Sequence, residues 1–356
     1  MSPHARPQES HHVRHLRRVP WSAALGGSSC LFVVVFLLAF NFSSVDVGLK
    51  DAIELIANAL SGKTFTPEQH SLSAILFEIR LPRIVVAALC GAALSCAGVV
   101  TQGVFRNPLA SPSLLGVESG AGLLAAVAFY FGVAHLNTFT VPIAALVGAL
   151  ATTAVLVAFS IRFPHWPLES LLLAGFAVNS LQVALTSAVV ALVLEEHQQG
   201  GAVLQWMLGS FSGRGWEHVA MSAPFILAGG FVATKLLHSL DALALGEDVA
   251  TSLNVDIHGL RRRAIVGASL LVAGAVAVAG AIPFVSLVVP HFTRILIGPR
   301  HKRLMIISAI NGMTLVLAAD LIARTIRPPG ELEVGIVTSL IGTPLFVALL
   351  LQRGRR

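Results

Sequence analysis

The sequence predicts an all-α protein embedded in a membrane, with about ten transmembrane helices. Three observations predict it. Of 356 residues, 55% are hydrophobic and only 12% are charged, at a mean hydropathy of +0.80. A soluble domain carries roughly 25% charged residues, and so few charges cannot cover a water-exposed globule of this length. The apolar residues gather in runs close to the roughly 20 that a bilayer core demands of a helix. Finally, the alternating apolar and polar pattern of a membrane barrel is absent.

The runs place spans at 21–43, 84–104, 114–134, 141–161, 170–194, 220–237, 264–282, 284–297, 303–323 and 335–351. Residues 1–20 precede them as a basic tail in which His11, His12 and His15 stand beside Arg14, Arg17 and Arg18. No convincing small-residue cleavage site follows the first run, so it reads as an uncleaved span rather than a signal peptide. The eighth run is short and carries Pro290, which predicts a partial or broken helix. In the fifth, Asn179, Gln182 and Thr186 share one helical face and predict contact with protein or water rather than lipid.

Composition also excludes several classes. The net charge of +6 is spread over short clusters between apolar runs, not over one basic stripe, which argues against nucleic acid. Cys30, Cys90 and Cys96 show no metal-ligand spacing. Ser61-Gly62-Lys63-Thr64 ends like a phosphate-binding loop, but Ala57 stands where the first glycine is needed. With no other such loop, the chain is expected not to hydrolyse ATP by itself and to hold no cofactor of its own.

Basic residues set the orientation. With the N-terminus inside and ten crossings, most of the 24 Lys and Arg residues fall on inner loops and ends, which predicts both termini in the cytoplasm. Lys50, Lys63, Arg80, Arg83, Arg214, Arg324 and Arg327 then lie outside, against the rule. Arg83–Gly98 and Arg263–Gly280 resemble each other, each running from an arginine through small residues to Ala-Gly, and they enter from opposite sides as an inverted repeat would.

Eight stretches carry a stronger resemblance: Ile79-Arg80-Leu81-Pro82-Arg83; Arg106-Asn107-Pro108-Leu109-Ala110-Ser111-Pro112; Leu115-Gly116-Val117-Glu118-Ser119-Gly120-Ala121; Leu245-Gly246-Glu247-Asp248-Val249-Ala250; Gly280 through His291; Ala319-Asp320-Leu321-Ile322-Ala323-Arg324; Glu331-Leu332-Glu333-Val334-Gly335; and Gly342-Thr343-Pro344-Leu345-Phe346. In this order they strongly resemble the FecCD family of permeases, which includes bacterial importers of vitamin B12, haem and iron-siderophores. The resemblance covers about residues 20–352 and implies the type II permease fold of ABC importers in the bacterial inner membrane. It implies a second permease copy, two cytoplasmic ATP-binding cassette subunits that hold ATP and Mg, and a periplasmic substrate-binding protein.

The resemblance also assigns roles. Arg80, Arg83 and Arg324 match outward arginines that dock the binding protein. Leu245, Gly246, Glu247 and Asp248, within the segment 240–263, match the part that couples to the ATPase. Asn179, Gln182 and Thr186 fall on the helix that lines the translocation path, with hydrogen bonding between helices as the alternative. Residues 205–210 match a short helix capping the path, and residues 165–169 fall near the cytoplasmic gate. The implied cargo is an iron(III) chelate, siderophore or haem, with cobalamin as the alternative. A different class remains open from the residues themselves: a transporter driven by an ion gradient, with Asp320 as its cation site.

Overall fold

The computed structural model describes residues 19–42, 48–61, 66–163, 166, 168–195, 200–326 and 330–354. The histidines of the N-terminal tail, Gly62-Lys63-Thr64, His165 and Arg327 lie outside the described residues. Among those described the chain is helical and no strand occurs. The helices are α1 (Trp21–Asn41), α2 (Leu49–Leu60), α3 (Pro67–Ser73), α4 (Leu81–Val104), α5 (Val117–Tyr130), α6 (Thr140–Arg162), α7 (Leu168–Glu195), α8 (Gly200–Met207), α9 (Trp216–Leu243), α10 (Glu247–Ser252), α11 (Ile257–Ala279), α12 (Val285–Ile297), α13 (His301–Thr325) and α14 (Val334–Gly354).

Seven of these are long and apolar enough to cross a membrane, and α5, α12 and α14 contribute three shorter apolar segments. Together they match the ten predicted spans. Where the bounds differ, the cause is local. The spans expected at 220–237 and 264–282 become Trp216–Leu243 and Ile257–Ala279, because the polar residues His238, Asp241 and Arg261 continue each helix past its apolar stretch. The third span starts later than expected. Pro112 opens a 3-10 turn, Pro112–Leu115, and Gly116 adopts φ 73°, a left-handed conformation that ends the turn before α5 begins.

The eighth span is short, as its sequence predicts. The 13 residues of α12 reach only about 20 Å at 1.5 Å per residue. Pro290 has no N–H to give to the Ser286 carbonyl, and that carbonyl packs against Gly98 of α4, where a side chain would overlap it. The missing helix bond thus leaves backbone surface for a neighbouring helix to approach.

The core is α4, packed against α9, α11, α12 and α13. Of its apolar window 72% is buried, and 78% for α11, against 17% for α7. The two alike segments of the sequence are therefore the two most enclosed spans. They run in opposite directions, with Cys90 Sγ 3.6 Å from the Ala275 carbonyl near their crossing. Gly91 and Gly312 bring α4 and α13 together: a side chain on either would strike the backbone carbonyl of the other. In lipid, tails are as apolar as leucine, so such close backbone packing supplies the attraction between helices.

Replacing Gly91 with Leu should separate α4 from α13 and cost about 1–3 kcal/mol or more. Thermal unfolding in detergent checks this, with Gly230→Leu as the control, since nothing approaches the missing side chain of Gly230. An unchanged melting temperature for Gly91→Leu would remove the glycine contact from the core.

Candidate functional site

A cavity of about 360 Å³ opens between α5, α7 and α8. Its polar lining is Ser113, Glu118 and Ser119 from the α5 side and Asn179, Thr186 and Ser187 from α7, and its apolar walls include Phe176 and Val276. Trp206 of α8 closes one side. A neighbouring space of about 590 Å³, sharing Met207 and Ala281 with the first, continues along α14 past Ser339 and Thr343.

The broken start of α5 builds this cavity. Gly116 lies against the backbone of Asn179 near the midpoint of α7, so the first turn of α5 begins inside the bundle rather than at its end. Glu118 occupies that first turn. Among the described residues no cation lies within ion-pair distance of it. In the sequence Glu118 stands out only as a carboxylate inside an apolar run, and no role attaches to it there.

The three polar residues expected on one face of α7 divide. Asn179 and Thr186 line the cavity, although the Thr186 hydroxyl also donates to the Gln182 carbonyl at 2.7 Å. Gln182 turns aside to join helices: its Nε2 donates to Thr152 Oγ1 of α6 at 2.6 Å, and its Oε1 accepts from Ser119 of α5 at 2.8 Å. At 3.6 residues per turn Gln182 sits about 60° from Asn179 around the helix, enough to face α5 and α6 instead. Two of the three thus line the cavity, and the third bonds neighbouring helices together.

At one end of the bundle the expected docking arginines meet. Arg80 is 3% exposed and donates to the Phe40 carbonyl at 2.7 Å. Arg324 is 6% exposed and donates to the Ala39 carbonyl, so both hold the last turn of α1. Arg83 donates to Asp320 at 2.7 Å and to both Glu331 oxygens at 2.9 Å. Of the three arginines expected to face outward, Arg80 and Arg324 point inward here, and only the rim of Arg83 reaches the surface. Asp320 and Arg324, four residues apart on α13, lie 3.8 Å from each other. A cation site at Asp320 is also disfavoured, because Arg83 Nε and Nη2 occupy both oxygens of this fully buried carboxylate.

The opposite end carries the segment expected to couple to an ATPase. Gly246 links α9 to α10 at φ 124°, in a region that disfavours side chains, with nothing within 4 Å of its missing Cβ. Glu247 opens α10 and accepts from Arg261 of α11 at 2.7 Å. Asp248 follows it in the first turn, where the helix dipole favours negative charge. Leu245, Val249 and Leu253 recur every four residues and are all exposed, Leu245 at 69%. Nearby, Asp241 of α9 binds the backbone N–H and Nδ1 of His301, tying α9 to the start of α13. The sequence marks the Leu245-Gly246-Glu247 segment but not the arginine that holds it.

The model of the FecCD transport family matches residues 31–352. The chain is 39% identical over 346 residues to the cobalamin import system permease protein BtuC of Halobacterium salinarum, spanning 93% of this chain and 92% of that one. It is 39% identical over 283 residues to the Fe(3+) dicitrate transport system permease protein FecD of Escherichia coli, spanning 80% and 87%. Among solved structures, an inward-facing ABC transporter assigned to the metal-chelate type superposes with a TM-score of 0.79 at 30% identity, over 92% of this chain and 98% of that chain.

The Arg83 network makes a direct prediction. Arg83→Gln leaves Asp320 buried without its main partner, and breaking a buried pair from one side costs about 3–5 kcal/mol. Arg83→Gln combined with Asp320→Asn should recover a large part of that loss in thermal unfolding. Two single losses that simply add would show that the two groups act independently.

Proposed function

The chain belongs to the FecCD transport family and is a multi-pass permease of an ABC importer, and we propose that it carries an iron(III) chelate, siderophore or haem, across the bacterial inner membrane by alternating access. In this reading two ATP-binding cassette subunits, holding ATP and Mg, grip α10 from the cytoplasm, where both termini also lie. A periplasmic binding protein delivers cargo at the Arg83 end.

The observation that carries the reading is α10. It and the residues on either side of it offer Leu245, Val249 and Leu253 to the outside at a polar end of the bundle, beside Glu247 and Asp248. An exposed apolar patch rimmed by charge fits a groove on a protein partner, and the Arg261 ion pair makes α10 move with α11. Because α11 packs on α4, α5, α6 and α9, a displacement at α10 is transmitted to the walls of the path. Nucleotide then shifts the balance between two states by binding one better than the other.

The cavity supports a second permease copy. Asn179 and Ser187 lie on the little-buried α7 and share their cavity with Glu118 of α5, and polar side chains in contact with lipid tails are costly. A second copy set against α7 encloses them in a shared, water-filled path. At the Arg83 end, carboxylates of a binding protein would compete with the partly exposed Glu331 for Arg83; such rim charges orient docking more than they tighten it. Cobalamin is the second reading for the cargo, favoured by the cobalamin permease among the relatives.

Reconstitution with the partner ATPase and binding protein tests this. Uptake of a ferric chelate should require ATP and the ATPase, and uptake driven by an ion gradient without the ATPase would overturn the proposal. Glu247→Arg should lower uptake severalfold while the permease stays folded, and the swap of Glu247→Arg with Arg261→Glu should restore part of it. Undiminished uptake in Glu247→Arg would free α10 of its coupling role.

A further inference from the structure

Glu118 is the one titratable side chain among the described residues that line the cavity between α5, α7 and α8. Three further observations bear on it. The broken start of α5 places it two residues after Gly116, which packs on the α7 residue Asn179, so that Glu118 and Asn179 line one cavity. No cation pairs with it among the described residues. Across the same cavity Trp206, more than nine-tenths buried, holds an indole N–H that meets no acceptor.

A carboxylate used only to pack helices would be paired, as Asp320 is with Arg83. Glu118 instead lines the cavity with a hydrogen bond to Ser113 and no cation, other hydroxyls and an amide sharing the lining. Its place in the first turn of α5 sets the carboxyl at the positive end of the helix dipole, and the apolar walls let the field of its charge reach across the cavity with little screening. We propose that Glu118 is a charge-selecting residue of the translocation path, favouring neutral or cationic chelates that carry hydrogen-bond donors and opposing carboxylate-rich anionic ones. The Trp206 N–H complements it by offering a donor to a carbonyl or hydroxamate oxygen of such a cargo.

The inference rests on the cavity being the path, and its test separates the two. In a full-length variant with Cys30, Cys90 and Cys96 replaced by Ala, Asn179→Cys puts a thiol in the cavity of the reconstituted permease. Its rate of modification is then compared for a cationic methanethiosulfonate (ethyltrimethylammonium) and an anionic one (ethylsulfonate). With Glu118 present, the cation should react faster than the anion relative to their rates with a free thiol. Glu118→Gln should shrink that preference on the order of tenfold, and Glu118→Asp should retain most of it. Equal preference with Glu118 and with Gln overturns the charge-selecting role and leaves the path intact. Failure of both reagents to reach the thiol overturns the path, and this inference with it. Should Glu118→Gln fail to fold, Glu118→Ala read at Ser187→Cys in place of Asn179→Cys gives the same comparison with the charge removed, and an unchanged preference there overturns the role.

Discussion

Close contact between helix backbones at the centre of the bundle is the constraint on which the rest depends. Gly91 and Gly312 let α4 and α13 touch, and Gly98 accepts the carbonyl that Pro290 leaves unbonded in α12. In lipid, apolar side chains gain little by meeting one another, so contact area and dispersion between small residues must hold the helices. The consequence is a sharp division. The interior spans α4 and α11 are enclosed, while α7 stands at the margin, and the polar groups that need water or a partner collect beside α7.

The two ends of the bundle are built differently on that frame. At the Arg83 end, buried charges are satisfied inside the chain: Asp320 by Arg83, and the last carbonyls of α1 by Arg80 and Arg324. A charge in a low-dielectric setting is tolerated only when paired and hydrogen-bonded, which accounts for the convergence of four segments distant in sequence. At the Glu247 end, by contrast, apolar side chains are left outside. One end consumes its polar groups internally, and the other presents a surface for a partner.

Much of this was legible in the sequence. The ten spans follow from apolar runs, and the shortness of α12 from Pro290, because both signals are local. The helix ends beyond residues 237 and 264 were not legible, since a helix continues into water on polar residues that carry no apolar signal. Nor was the inward turn of Arg80 and Arg324, because the carbonyls they bind belong to Ala39 and Phe40, far away along the chain. A shared helical face brought Asn179, Gln182 and Thr186 together, but the face spans enough arc for Gln182 to serve the neighbouring helices. Glu118 was visible as a carboxylate within an apolar run, yet only the left-handed turn at Gly116 brings it to the cavity.

The central claim is a fixed frame of α4, α11 and α13 beside a path along α5 and α7. Hydrogen exchange of the complete transporter, with and without ATP, tests it most directly, since exchange reports local opening against enclosure. Amides of α4 around Gly91 and of α13 around Gly312 should stay protected in both states. Those near Gly116 and from Asn179 to Ser187 should exchange faster and change with nucleotide. Exchange in α4 as fast as in α7, or a nucleotide response confined to α4 and α13, would contradict the division between frame and path.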